Sequence, residues 1–192
     1  MTYLGPQAFS LKNPVRYDDS NIIVLIGIDP GGTTGWSCIV LPDNVFQLKS
    51  IEAILQHKLM WVHGQVDCST ETGVYLLRRN LLDSFTYSSA VIMESFFLRK
   101  DRGQVDLSPV EIIAVIRHSL WMKHKTMHMQ QPSMAKRLDN DRLKLLNVYT
   151  SEGGMQHARD ADRHVLMMIR RCMENKGMKE KLWPNTFSTD SK

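Results

Sequence analysis

A run of seven mostly β-branched residues, Ile22-Ile23-Val24-Leu25-Ile26-Gly27-Ile28, passes without a break into Asp29-Pro30-Gly31-Gly32-Thr33-Thr34-Gly35-Trp36. An apolar run of that length predicts a strand buried on both faces of a sheet. Its abrupt end in an aspartate, followed by a turn rich in glycine and proline, puts a carboxylate at the sheet's edge on rigid backbone. The glycines lack the Cβ atoms that would keep a phosphate or a metal ion at a distance. A turn or helix-capping aspartate is the plainer alternative, and this segment alone leaves both open.

Length and composition narrow the setting. A chain of 192 residues suffices for one domain with a sizeable core, and 43% hydrophobic with 23% charged residues is ordinary for a globular protein. A formal net charge of +4 suits a polyanionic partner without demanding one. Cys38, Cys68 and Cys172 lie far apart with no CxxC pair, which argues against disulfides and structural zinc and for a reducing cytosol. No secretory signal pattern stands at the N-terminus, and the longest apolar stretch is far short of the ~20 residues of a membrane helix. The expected location is cytoplasmic, in a bacterium or a phage-infected host cell, with no membrane partner.

Residues 1–20 carry Pro6 and Pro14 without clear periodicity and are expected to form an N-terminal arm. After the first strand, Trp36–Leu41 and Leu59–Val66 read as strands, whereas residues 42–58 resist assignment. Three successive strands with no strong helix between them imply an antiparallel meander. Glu71–Leu82 has helical spacing, Ala90–Met93 is a short strand ending in Glu94, and Pro109–Lys123 is a helix opened by Ser108-Pro109. Thr126–Gln131 reads as a fifth strand stopped by Pro132, and a last helix runs from about Gln156 to Met173. Residues 175–192 are expected to be a polar tail, disordered beyond Trp183-Pro184. The order β-β-β-α-β-α-β-α predicts an α/β fold: a five-stranded mixed sheet, three antiparallel strands then two parallel, flanked by helices. A right-handed crossover then brings Asp29 and Glu94 to one edge.

A third component is Gly153-Gly154-Met155-Gln156-His157-Ala158-Arg159-Asp160-Ala161-Asp162-Arg163-His164. At about 100° per residue, His157, Asp160, Ala161 and His164 share one helical stripe, and Asp162 lies about 200° from Asp160. Helix geometry therefore selects Asp160 over Asp162. Ala161 lets the helix approach a sheet, and the glycine pair suits a tight entry. Each residue has a plain reading: Glu94 as a solvated strand end, His157 and His164 as hydrogen-bonded histidines, Asp160 as a helix-dipole partner. Together, two strand-end carboxylates with an acid and a histidine on one helix face make a hard-oxygen site suited to divalent cations, magnesium above zinc.

Gly27-Ile28-Asp29-Pro30-Gly31, Glu94 at a strand end, and His157-x-x-Asp160-Ala161 together resemble the RuvC-type Holliday junction resolvases, of the ribonuclease H-like superfamily and often phage-encoded. The resemblance spans roughly residues 22 to 171, in a nuclease domain expected over residues 21–174. It implies a metal-dependent endodeoxyribonuclease that cleaves four-way DNA junctions as a homodimer, using two Mg²⁺ ions for which Mn²⁺ substitutes. Two such ions roughly 4 Å apart activate water and stabilise the leaving oxygen in phosphodiester hydrolysis. By the same resemblance Asp29, Glu94 and Asp160 are metal-binding carboxylates, and His157 binds metal or helps activate the water. Phe97 stands where the family stacks an aromatic on bases near the junction, and Lys136 resembles its basic residue near the scissile phosphate. Arg99, Lys100 and Arg102 follow Glu94 closely enough to hold phosphates. Residues 136–152 do not align with the family pattern, so Arg142 and Lys144 are only candidates for a second basic residue.

Other readings differ by class. A related nuclease could act on hybrid, branched or packaged DNA, and a nucleic-acid-binding protein could carry an idle site. The turn at residues 29–35 also resembles the first phosphate loop of sugar kinases and actin-like ATPases, which need a duplicated domain that this length excludes; no nucleotide cofactor is expected. If His157 acts as a neutral base, cleavage falls as pH drops through about 6.5.

Overall fold

The computed structural model describes residues 21–83, 89–96, 106–125, 127–151 and 154–187. The arm over residues 1–20 and the chain's last five residues, 188–192, lie outside them. Five strands form one sheet: β1 (Ile22–Asp29), β2 (Thr33–Pro42), β3 (Met60–Asp67), β4 (Ser89–Glu94) and β5 (Met127–Gln130), in spatial order β3-β2-β1-β4-β5. β1–β2 and β2–β3 pair antiparallel, while β1–β4 and β4–β5 pair parallel, which is the mixed sheet expected from the element order.

Side-chain alternation along these strands sorts residues between two cores. Val24, Ile26 and Ile28 of β1, with Val91 and Met93 of β4, face Leu77, Leu81, Ile112, Ile116 and Leu120. Those partners come from α2 (Glu71–Leu77), a π-type turn (Arg78–Asp83) and α3 (Ser108–Trp121). Ile23 and Leu25, with Ala90 and Ile92, face the opposite way, onto Val165, Leu166, Met168, Ile169 and Cys172 of a long helix. That helix is α6 (Gln156–Glu174), which spans 19 residues. The same period of two carries Gly27 and Asp29 of β1, and Glu94 of β4, to the α6 face.

Close approach of α6 needs two glycines. A Cβ on Gly27 would lie 2.7 Å from the Ala161 carbonyl oxygen, and one on Gly35 would run into the carbonyl of His157. Ala161 is fully buried at this contact. The tight entry expected of the glycine pair is visible at Gly154, with φ of +80°. Gly35 thus makes room for a helix rather than for a ligand, which corrects the expectation for that part of the turn.

The unassigned residues 42–58 hold a 3₁₀ turn (Asp43–Gln47) and α1 (Ile51–Gln56), whose start Ser50 caps by accepting from the Ala53 N–H. The helix predicted over Glu71–Leu82 keeps α-geometry only to Leu77. Between β5 and α6 lie α4 (Pro132–Ala135) and α5 (Asn140–Leu145). No helix among the described residues is long and apolar enough to cross a membrane.

The polar tail expected from residue 175 is instead helical as far as residue 187, in α7 (Lys176–Leu182) and α8 (Pro184–Phe187). Trp183, 2% exposed, packs on Phe46 and Phe187 and donates its indole N–H to the Val24 carbonyl at 3.3 Å. Lysines at positions 176, 179 and 181 dominate the composition, but Met178 and Trp183 close the core beneath them. Trp183→Ala is expected to cost about 3–5 kcal/mol; urea unfolding within ~1 kcal/mol of the parent would show that the segment is a dispensable appendage.

Candidate active site

The end of the sheet presents one row of residues to α6. Cα pairing aligns Gln65 with Gly35 and Gly35 with Asp29, and on the far side Glu94 with Gln130. Asp29 and Glu94 stand one step beyond the Ile28–Met93 pair, so the row crosses all five strands. The first two and a half turns of α6 lie on it. His157 Nδ1 is 2.8 Å from Asp29 Oδ2, and His164 Nε2 is 2.7 Å from Glu94 Oε2. His164 is fully buried and its Nδ1 lies 2.7 Å from Gln130 Oε1, so it bridges β5 and β4.

Asp160 is on the same side of the helix but turned along it, accepting from Arg163 Nη1 and from Gln156 Nε2. Arg163 is itself anchored, donating Nε–H to the Leu138 carbonyl at 2.7 Å. Asp162 faces elsewhere: fully buried, it accepts from Trp61 Nε1 at 3.0 Å and lies 2.7 Å from His63 Nδ1, both on β3. Its part is to tie the edge strand to α6. The sequence offered a signal for this in the alternation of Trp61, His63 and Gln65, which places three polar-headed side chains on the α6 face.

Burial raises the Asp29 carboxyl above the usual aspartate range, and the charges of Glu94 and Asp160 add to the rise against the opposing pull of the His157 hydrogen bond. The Asp29 hydrogen bond lifts His157 above its ordinary 6.5, with further help from Asp160 and Glu94 and against the cost of partial burial. Asp29, Glu94, His157 and Asp160 therefore occupy one electrostatic neighbourhood. Among the described residues, however, no three His, Cys, Asp or Glu side chains converge into a ready-made metal cage. Each carboxylate is held by its own basic partner: Asp29 by His157, Glu94 by His164, Asp160 by Arg163. The donor set still fits a hard divalent cation: three carboxylates close enough to raise a buried member's proton affinity are the oxygen ligands such an ion needs.

Of the residues expected to contact DNA, Lys136 alone is among those described. Lys136 sits exposed at the C-terminal cap of α4, with no bond to the row. Phe97, Arg99, Lys100 and Arg102 lie outside the described residues.

Solved structures of similar architecture include two of RuvC. Thermus thermophilus RuvC superposes with a TM-score of 0.54 over 79% of this chain and 97% of that one, at 14% identity. The chain has the fold of RuvC. T. thermophilus RuvC in complex with Holliday junction substrate gives a TM-score of 0.51, at 13% identity, over 79% of this chain and 96% of that one. No protein-family model and no curated protein matches the sequence. The likeness to RuvC is therefore one of fold, held at an identity too low to carry residue roles with it.

The Asp29–His157 pair yields a pH signature. Because the folded-state value of His157 is raised, its favourable contribution is complete below pH ~6.5 and is lost as pH rises through the folded midpoint. NMR titration of the free protein should place the His157 midpoint above 6.5 and return it toward that value in Asp29→Asn. An unmoved midpoint would dissolve the pair. The pH window expected for a neutral His157 shifts upward accordingly.

Proposed function

We propose that the protein is a divalent-metal-dependent endonuclease that hydrolyses branched DNA, with four-way junctions as substrate and a homodimer as the acting form. The observation that carries this reading is the joint placement of Asp29 and Glu94 at adjoining strand ends beneath a helix bearing His157 and Asp160. The RuvC fold supports it, and of the two RuvC structures one is described with a Holliday junction bound. Symmetric incision of two strands calls for two sites related by a two-fold axis, which a homodimer supplies.

Asp29, Glu94 and Asp160, with His157 beside them, would hold the cations, Mg²⁺ by preference with Mn²⁺ in its place. When bound, such ions supply charge neutralisation at the phosphate and a more acidic water. The protein's own groups do the rest. Asp29 is fixed by β1, and only 8% of it is exposed, so its carboxylate has little freedom to turn away. Glu94 is oriented through His164, and Asp160 through Arg163. His157 donates Nδ1–H to Asp29 when neutral, leaving Nε2 as an acceptor on a side chain that is 44% exposed. In hydrolysis the water oxygen bonds to phosphorus, the P–O bond to the leaving strand breaks, and the water's proton needs such an acceptor. Phe97, Arg99, Lys100, Arg102 and Lys136 are the proposed DNA contacts.

Synthetic four-way junctions incubated with Mg²⁺ should be cut. Asp29→Asn and Asp160→Asn should each lower turnover at least about a hundredfold, equivalent to ~3 kcal/mol of transition-state stabilisation. Asp162→Asn serves as the contrast: it should lose stability through the Trp61 and His63 bonds while cleavage persists. Full activity in both Asp29→Asn and Asp160→Asn would remove the site assignment. Junction binding without cutting in either Mg²⁺ or Mn²⁺ would favour an idle nucleic-acid-binding protein, and a preference for hybrid or nicked duplex would move the substrate elsewhere in the ribonuclease H-like group.

A further inference from the structure

The start of α6 has no cap of its own. Met155 at its N-cap offers no side-chain acceptor, and a helix start leaves its first backbone N–H groups without partners inside the helix. The acceptor comes from β3. Gln65 Oε1 accepts from His157 N–H at 2.8 Å and from Ala158 N–H at 3.2 Å, while Gln65 Nε2 donates to the Gly154 carbonyl at 2.7 Å. One amide thus holds two first-turn donors of α6 and the carbonyl of the residue just before its cap.

The position of Gln65 gives this cap a consequence for the site. Gln65, Gly35 and Asp29 are paired in one row. His157 meets every member: its N–H goes to Gln65, its carbonyl occupies the space over Gly35, and its ring reaches Asp29. Contacts from three adjacent strands thus fix the backbone and the ring of one residue. We infer that Gln65 is a positioning residue, which sets His157 over Asp29, and with it the first turns of α6 over the carboxylates, by capping that helix from the edge strand. Gln65 touches no reacting atom in this arrangement and acts through the helix alone.

Polar residues that orient a ligand or catalytic group typically change metal affinity or activity by 10–100-fold when lost. The inference rests on the proposed hydrolytic role of Asp29 and His157, so its test has one arm that reads no cleavage. Gln65→Met keeps the side chain's length but removes both its hydrogen-bonding ends; Gln65→Glu keeps the acceptor for the His157 and Ala158 N–H groups and loses only the donor to the Gly154 carbonyl. In full-length protein, hydrogen exchange at the His157 and Ala158 amides should quicken in Gln65→Met and return toward the parent in Gln65→Glu. The ring Nδ1 proton signal of His157, hydrogen-bonded to Asp29 in the parent, should weaken in the first variant and recover in the second. On four-way junctions, Gln65→Met should lower kcat about 10–100-fold with KM little changed, and Gln65→Glu should recover most of it. Mn²⁺ binding by the free protein should follow the same order.

Parental exchange and a parental His157 signal in Gln65→Met would overturn the inference. So would equally quickened exchange at the His157 and Ala158 amides in both variants, because Glu retains the acceptor for those two groups. If the parent protein cuts no junction, the proposed function falls, and the exchange and ring-proton measurements still decide whether Gln65 places His157.

Discussion

Helix α6 can lie on the sheet only because Gly27 and Gly35 present no side chain to it. A helix normally keeps its axis about 10 Å from a sheet, with side chains filling the gap. Here the backbone of the first turns comes into direct contact with β1 and β2, and everything that looks chemical follows from that closeness. His157 reaches Asp29, His164 reaches Glu94 and Gln130, and Gln65 reaches the helix's free N–H groups. A methyl group at either glycine would lift the helix and break these contacts together.

The second consequence is electrostatic. Four acidic side chains gather on or near one helix and two strand ends, in surroundings that bury Asp29 and Asp162. Buried carboxylates of like charge are costly unless each has a partner. The structure supplies one apiece, in His157, His164, Arg163 and His63. The division of labour between two aspartates two residues apart on α6 comes from this pairing. Asp160 stays partly exposed on the side that faces the strand ends, and Asp162 is sealed against Trp61 and His63 as a structural tie. The site's acids are thereby kept oriented by histidines and an arginine that also organise the helix.

Much of the architecture was legible because it rests on short periods. The β-branched run to Ile28, the alternation around Ala90–Glu94 and the helical spacing after Gln156 predicted the central strands, their mixed pairing and the long helix, and the same periods brought Asp29 and Glu94 to one edge. What escaped had no periodicity to read. Residues 43–56 form two short helical pieces whose order comes from packing Val45, Phe46, Ile54 and Leu55 into the core beside α6. The lysines of α7 masked Met178 and Trp183, since composition averages over two faces of a short helix while burial depends on one.

The sequence by itself determined the identity and spacing of the chemical groups: an aspartate at the end of a buried strand, a glutamate at the end of another, and His157 with Asp160 three residues apart on a helix. Those relations are local, and bond geometry with 2.0 and 3.6 residue periods suffices to fix them. Tertiary structure alone decided the partnerships. Which histidine meets which carboxylate, that Gln65 caps a helix more than 90 residues away in the chain, and that Gly35 serves the helix all depend on how β3, β2 and β1 align in register beneath α6. Register between distant strands is a property of the packed sheet and is written in no single stretch of chain.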